Sequence, residues 1–279
     1  MTSLGGELAT AAPVPAAWRR VAGTLLRRPA FLRLLSLAVV LAGWQLFGTP
    51  YSTSFPSSIA SSAYHTFASE VVPAFGDTLW GFAVGFAVCV VVGVPIGLLM
   101  ARLRVVELAL EPYVNALYAT PRLVLIPVLI LWLGVNFQLR VAVVIVSGLF
   151  PIILNAYLGA REVDENLIDV GTAFAANRFQ LLRTIVFPGS LPYVFAGMRI
   201  GLGRAFIGII VAEIETSAIG IGNLISKDAT EIRMAAMWVA IISLGIVSIF
   251  LSTGLKSVER WSTMPWLRGR RGLRWPSRA

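Results

Sequence analysis

The chain has 279 residues, 57% of them hydrophobic and only 13% charged. Soluble domains carry about 25% charged residues, so this composition excludes a soluble globular protein and indicates one integral membrane domain. The net charge of +9 does not mark a nucleic-acid surface, because the basic residues cluster at the ends of apolar runs, where they set topology.

In chain order, residues 1–29 are rich in Ala and Pro, with Arg19, Arg20, Arg27 and Arg28, and are expected to form an unstructured cytoplasmic tail. A cleaved signal peptide fits poorly, since the apolar stretch 31–47 starts late and lacks a small-residue exit. That stretch is the first expected span, with Trp44 near its outer interface. Residues 48–72 hold no Lys or Arg and fit an outside loop with a short amphipathic helix after Pro56. His65 lies there and reads as a solvated loop residue. The second span, 73–101, ends at Arg102 and Arg104. Its pairs Gly81/Gly85 and Gly93/Gly97 allow close helix approach, and Pro95 predicts a kink. The lone Cys89 lies inside it, so neither a disulfide framework nor a thiolate metal site is available.

The third span, 112–134, contains Pro121, Arg122 and Pro127 and is expected to be a distorted helix facing protein or a cavity. A fourth, 141–158, is expected to break at Pro151. A fifth, 191–212, carries Arg199 and Arg204, and a sixth, 234–255, leads into a basic tail. The six-helix domain is therefore placed at 30–256, followed by a cytoplasmic tail at 257–279. Between spans five and six, 213–233 is a mixed segment containing IGIGNLI, read either as a Gly-broken amphipathic piece or as a surface turn.

Residues 161–192, REVDENLIDVGTAFAANRFQLLRTIVFPGSLP, interrupt the apolar pattern. Asp164, Glu165, Asp169, Arg178 and Arg183 cannot sit in hydrocarbon. The helical spacing of Phe179, Leu182, Ile185 and Val186 after the Ala175–Ala176–Asn177 turn predicts two short helices outside the membrane. They either offer a patch to a partner or lie on headgroups. With both termini inside, seventeen Lys and Arg fall on inner segments and three (Arg140, Lys227, Arg233) on outer ones. The positive-inside rule then places 161–192 in the cytoplasm.

No HExxH, GxSxG or Cys/His cluster is present, and Gly254-Leu255-Lys256-Ser257 lacks the second Gly of a P-loop. The chain carries no nucleotide grip of its own.

The run IDVGTAFAANRFQLLRTIVFPGSLP resembles the signature of permease subunits of bacterial ABC importers: Glu-Ala-Ala, three residues, Gly, nine residues, Ile-x-Leu-Pro. Asp169, Val170 and Gly171 stand at the Glu-Ala-Ala positions, Ala175 at the Gly position, and Ile185, Phe187 and Pro188 at the end. LVLIPVLILWLG, FPIILNAYLGAREVD and GIGNLI extend the resemblance over roughly residues 76–255, towards the branch serving nitrate, sulfonate and taurine uptake.

The resemblance implies an all-α polytopic fold with six transmembrane helices, in a bacterial inner membrane with both termini cytoplasmic. It implies a non-catalytic subunit: ATP and Mg bind a separate ATPase dimer, which receives coupling helices near residues 161–190. Further implied partners are a second permease subunit, expected to be a copy of this chain, and an extracytoplasmic solute-binding protein. Membrane lipid surrounds the assembly, and no nucleic acid is involved.

The expected coupling residues are Asp169, Val170, Gly171, Ala175, Asn177 and Arg178, with Asn177 suited to N-cap the second short helix. If the turn needs positive φ at Ala175, Ala costs about 1 kcal/mol against Gly; alternatively Asn177 supplies the left-handed residue. The expected pathway or gate residues are Arg122, Arg199, Arg204, Glu213, Gly220 and Gly222. A buried arginine costs roughly 2.5–3.5 kcal/mol on insertion scales, so each attracts an anion or is paired structurally. Arg199 and Arg204, five residues apart, are not expected to share a face. The rival readings are a gradient-driven transporter, which calls for inverted repeats and intramembrane acids, and a lipid enzyme, which calls for a nucleophile cluster.

Overall fold

A computed structural model of the chain describes residues 29–49, 54–216 and 219–270, with the side chains of residues 29, 122 and 263–270 excepted. Of the tails expected at 1–29 and 257–279, residues 1–28 and 271–279 lie outside the described residues, and 257–270 continue the last helix. Every regular element described is helical. By contacts the chain divides at Ser58 into two units, residues 1–58 and 59–279.

The first unit holds helix α1 (Pro29–Phe47), the expected first span. Helix α2 (Pro56–Thr66) begins at its end, where the Gln45 side chain meets both the backbone N–H and the hydroxyl of Ser57 at 3.3 Å. A π-turn (Phe67–Val71) joins α2 to α3 (Val72–Arg102).

The second unit is organised around three long helices: α3, α6 (Phe137–Arg161) and α9 (Phe187–Thr216). Their buried side chains, among them Cys89, Leu98, Ile152, Ala156 and Val194, form one core. Small residues set the spacing. A Cβ on Gly85 would come within 2.7 Å of Val144, and one on Gly97 would meet Ala156 at 2.7 Å and the Ile153 carbonyl closer still. On the other side of α6, the backbones of Gly148 and Gly201 approach so closely that a Cβ on Gly201 would lie 2.8 Å from the Gly148 carbonyl. The glycine pairs of the second span are therefore helix-packing positions.

Among the described residues, five helices are long and apolar enough to cross a membrane, and there are six if a bent pair is counted as one span. This pair corrects the third expected span. Instead of one distorted helix over 112–134, α4 (Arg104–Ala119) ends at Thr120, a 3-10 turn spans Arg122–Leu125, and α5 (Ile126–Leu133) leaves at 93°. Pro121 holds Thr120 extended (φ −65°, ψ 133°), and Pro127 in the first turn of α5 favours a new helix start. The break expected at Pro151 is absent: α6 runs through it, packed on both faces, with the Asn155 amide donating to the Pro151 carbonyl at 2.8 Å.

Beyond the spans lie α7 (Glu165–Ala173), α8 (Arg178–Leu181) and α10 (Ile221–Thr230). α8 is not the free-standing second helix expected from the spacing. A π-turn (Leu182–Val186) carries it directly into α9. α11 (Met234–Arg270) contains the sixth span and continues past it.

The packing argument has a direct check. Gly97→Val should lower stability by about 1–3 kcal/mol through overpacking, read as a fall in detergent melting temperature. Gly245→Ala, with nothing within 4 Å of the added Cβ, should be neutral or raise stability by up to about 1 kcal/mol.

Candidate functional site

The first site is the bracket formed by α7 and α8. The Asp164 carboxylate caps α7 by accepting from the Asn166 N–H at 2.9 Å. Asn177 caps α8 in a reciprocal box: its side chain accepts from the Gln180 N–H at 2.8 Å, and the Gln180 side chain accepts from the Asn177 N–H at 2.8 Å. Between them, α7 ends in a turn where the Ala176 N–H reaches the Gly171 carbonyl (3.1 Å) and the Ala175 N–H reaches Thr172 (2.8 Å). This is the Schellman pattern, which puts the residue after the C-cap in left-handed backbone. That residue is Ala175, at φ +54°. Of the two ways of building the turn, the chain uses the strained one, and Asn177 stays extended (φ −73°, ψ 167°).

Gly171 faces inward, where a Cβ would strike Leu181 and lie 2.9 Å from Ile185. Its lack of a side chain lets α7 lie against the start of the long helix. Asp169 and Arg178 are exposed, as are Leu167, Val170, Phe174 and Phe179. Phe174 is 83% exposed and Phe179 69%, an apolar patch that solvent alone does not account for. Behind it, Leu99 and Arg102 of α3, Leu103 just after it, and Ile168, Phe179 and Leu182 line a cleft of about 330 Å³. The end of α6, from which the bracket leaves, is held by Glu107 of α4, which accepts from the Tyr157 hydroxyl (2.6 Å) and pairs with Arg104 (2.8 Å) and Arg161 (3.3 Å).

The second site lies at the opposite end of the core. Glu213 is fully buried. The Thr78 hydroxyl from α3 meets its two oxygens at 2.9 and 3.0 Å and also accepts the Ile221 N–H at 2.9 Å. The Gly222 N–H donates to the carboxylate at 3.0 Å, and Arg140 approaches from α6 at 3.8 Å while donating to the Asp77 carbonyl at 3.1 Å. Glu213 and Thr78 thus cap α10 from outside, where its N-terminal dipole favours an anion. Gly220 (φ +100°) starts α10, and any side chain there would overlap the Glu213 carboxylate.

Glu213, Gly220 and Gly222, three of the residues singled out in the sequence, therefore meet in one network. Thr78 and Arg140 belong to it and were not expected. Arg140, counted as a loop charge, is in fact buried at the start of α6. The only signal in the sequence was an arginine immediately before the fourth apolar run.

The remaining pathway candidates separate. Arg199 forms an ion pair with Glu259 of α11. Arg204 lies over the Tyr118 ring of α4 at 4.6 Å and donates to its hydroxyl at 3.2 Å. They leave α9 towards different helices, as their spacing requires. The side chain of Arg122 lies outside the described residues. Outside the spans, Arg233 pairs with Glu70 (2.9 Å) and Asp228 (3.4 Å). Burial pushes the Asp228 carboxyl up, and the Arg233 guanidinium partly opposes it. α10 ends as α7 does, with a non-glycine residue, Ile232, in left-handed backbone at φ +58°.

The profile of the "binding-protein-dependent transport system inner membrane component" family matches residues 93–262. The chain belongs to that family. This permease is 26% identical over 238 residues to the nitrate import permease protein of Synechocystis sp., covering 81% of this chain and 86% of that one. It is 27% identical over 235 residues to a putative aliphatic sulfonates transport permease of Bacillus subtilis, covering 81% and 84%. Its fold is similar to a chain of the MetNI methionine ABC transporter in an inward-facing conformation. The TM-score there is 0.61 at 19% identity, covering 71% of this permease and 99% of that chain. The matched region contains the α7–α8 bracket, Glu213 with Arg140, Gly220 and Gly222, and both span arginines of α9, while Thr78 precedes it.

Two substitutions test the geometry. Ala175→Gly should relieve the left-handed strain and raise stability by about 1 kcal/mol, with the permease remaining in the membrane. Thr78→Val strands the Ile221 N–H and removes a donor from Glu213. It should lower stability by about 1–3 kcal/mol, measured by thermal unfolding in detergent.

Proposed function

We propose that this permease lines the route of an ATP-driven importer for a small anion and takes its drive through the α7–α8 bracket from a separate ATPase dimer. One observation carries the coupling role. At one end of the core, the chain holds a rigid, doubly capped pair of helices whose outer face combines Asp169 with exposed Val170, Phe174 and Phe179. Such a face suits a groove on another protein, with the apolar side chains as anchors and the carboxylate free to accept hydrogen bonds or pair with a cation.

In this reading the bracket and both termini are cytoplasmic, following the distribution of basic residues. The route forms between this chain and a second permease, proposed to be an identical copy, and a solute-binding protein delivers the cargo from outside. No nucleotide grip is expected in this chain, so ATP and Mg belong to the partner. The anion class is supported by relatives named for nitrate, aliphatic sulfonates, bicarbonate and taurine. All four solutes carry oxygen-bearing anionic groups.

The test is uptake into proteoliposomes holding the permease with candidate ATPase and binding-protein subunits, using nitrate, taurine and bicarbonate in turn. ATP-dependent uptake of at least one is expected. Asp169→Arg should leave the protein in the membrane but lower uptake roughly tenfold or more relative to ATP hydrolysed, because a cation replaces the exposed carboxylate at the docking face. Normal transport by that variant would overturn the docking role. Uptake that follows a proton gradient without any ATPase would overturn the importer reading.

A further inference from the structure

Arg204 and Arg199 both lie on α9, yet only Arg199 is neutralised by a carboxylate. Among the described residues no acid pairs with Arg204, whose polar partner is the Tyr118 hydroxyl. Its depth matters. In the expected span 191–212 Arg204 lies about 4 Å from the centre at 1.5 Å per residue, deep within a hydrocarbon layer about 30 Å thick. A charge at that depth faces protein or water, not lipid.

The opposing element leads to the same conclusion. Tyr118 is the penultimate residue of α4, and the chain then runs non-helically through Thr120 and Pro121. Irregular backbone at membrane depth is tolerated only where protein buries it or water lines it. Here Pro121 and Leu123 are exposed. On α4, Glu111, Asn115 and Tyr118 follow at spacings of four and three, which aligns them along one face, and Asn115 is exposed. On α9, a Cβ on Gly203 would meet nothing within 4 Å, and Ile207, one turn on, is 61% exposed. A mid-membrane cation, a helix break and a polar stripe thus share one uncovered region.

We propose that Arg204, seated on Tyr118 beside the α4–α5 break, is a stepping site at mid-membrane where a small oxyanion is held transiently during passage. This rests on the reading of the chain as the route-forming subunit and adds the group that touches the cargo. The guanidinium has five N–H donors in a planar fork, one of which serves the Tyr118 hydroxyl. The others can meet two oxygens of a nitrate, sulfonate, carboxylate or bicarbonate group side by side. The ring beneath holds the fork flat by a cation–π contact, which orients it without neutralising it as a carboxylate would. A site of this kind attracts an anion and also lets it go.

The test needs neither ATP nor cargo. Gly203→Cys in the full-length chain, in membrane vesicles, is treated with an anionic (sulfonatoethyl) and a cationic (trimethylammonioethyl) methanethiosulfonate reagent. Each rate is normalised to that of a free thiol. The parent chain, whose Cys89 is fully buried, sets the blank. The expected result is that both reagents react with the introduced thiol, the anionic one favoured by roughly tenfold through the local field. Arg204→Gln in the same background should bring the ratio near one, and Arg204→Lys should keep most of it. If the introduced thiol reacts with neither reagent, or if Arg204→Gln leaves the ratio unmoved, the stepping site is overturned while the transport assignment stays intact. Conversely, failure of ATP-driven uptake with the expected labelling would remove the importer reading and leave the anion site standing.

Discussion

Helix α6 is held between two other long helices at backbone contact distance, and the rest of the structure depends on that. α3 reaches it through Gly85, Gly93 and Gly97, and α9 through Gly197, Gly201 and Gly208. In lipid there is no large hydrophobic gain from bringing two apolar helices together, so close packing and polar contacts between helices must supply the association. Stacking three backbones on their glycines does so. It also carries α6 unbroken through Pro151, because a helix enclosed by neighbours keeps its course despite one missing N–H. With that slab fixed, the ends of its helices become defined positions in space, and both candidate sites are built on those ends.

The two ends are built differently. At one, Glu107 draws Tyr157, Arg104 and Arg161 together where water is near. At the other, Glu213 is sealed inside and satisfied by a hydroxyl, a backbone N–H and an arginine from three other helices. A buried carboxylate with fewer partners would be expensive, so the network is demanding: Thr78, Arg140, Gly220 and Gly222 must all be in place together. Gly220 and Gly222 allow the carboxylate to approach the backbone. The short helices α7 and α10, one at each end, both close on a left-handed residue that is not glycine, Ala175 and Ile232. Strain of this kind persists only where the surroundings over-determine the turn.

Much of this was legible in the sequence, for local reasons. Spans follow from apolar runs, the cap of α8 from Asn177, and the packing of α3 from glycines four residues apart. The turn at Ala175 was legible as a choice between two residues, and the fold settled which. What stayed hidden depended on pairings distant in the chain. Thr78 lies 135 residues from Glu213, and nothing around it in the sequence distinguishes it from an ordinary membrane-helix threonine. Arg140 reads as a loop charge in the linear chain, and only its pairing with Glu213 of α9 and the Asp77 carbonyl shows that it is buried. The fusion of α8 with α9 was obscured by Pro188 and Pro192. Both sit where a proline normally marks a helix boundary, yet the helix accommodates them by widening into a π-turn just before.

That fusion has a mechanical consequence. From Arg178 to Thr216 the chain is one continuous helical rod of 39 residues, about 58 Å long at 1.5 Å per residue. It begins in the bracket, passes Arg204 beyond its middle and ends beside Glu213. A rod of that length that tilts by about 5° about one end moves the other by about 5 Å, close to one helical turn. The bracket, the mid-membrane arginine and the sealed carboxylate are therefore three stations on a single lever.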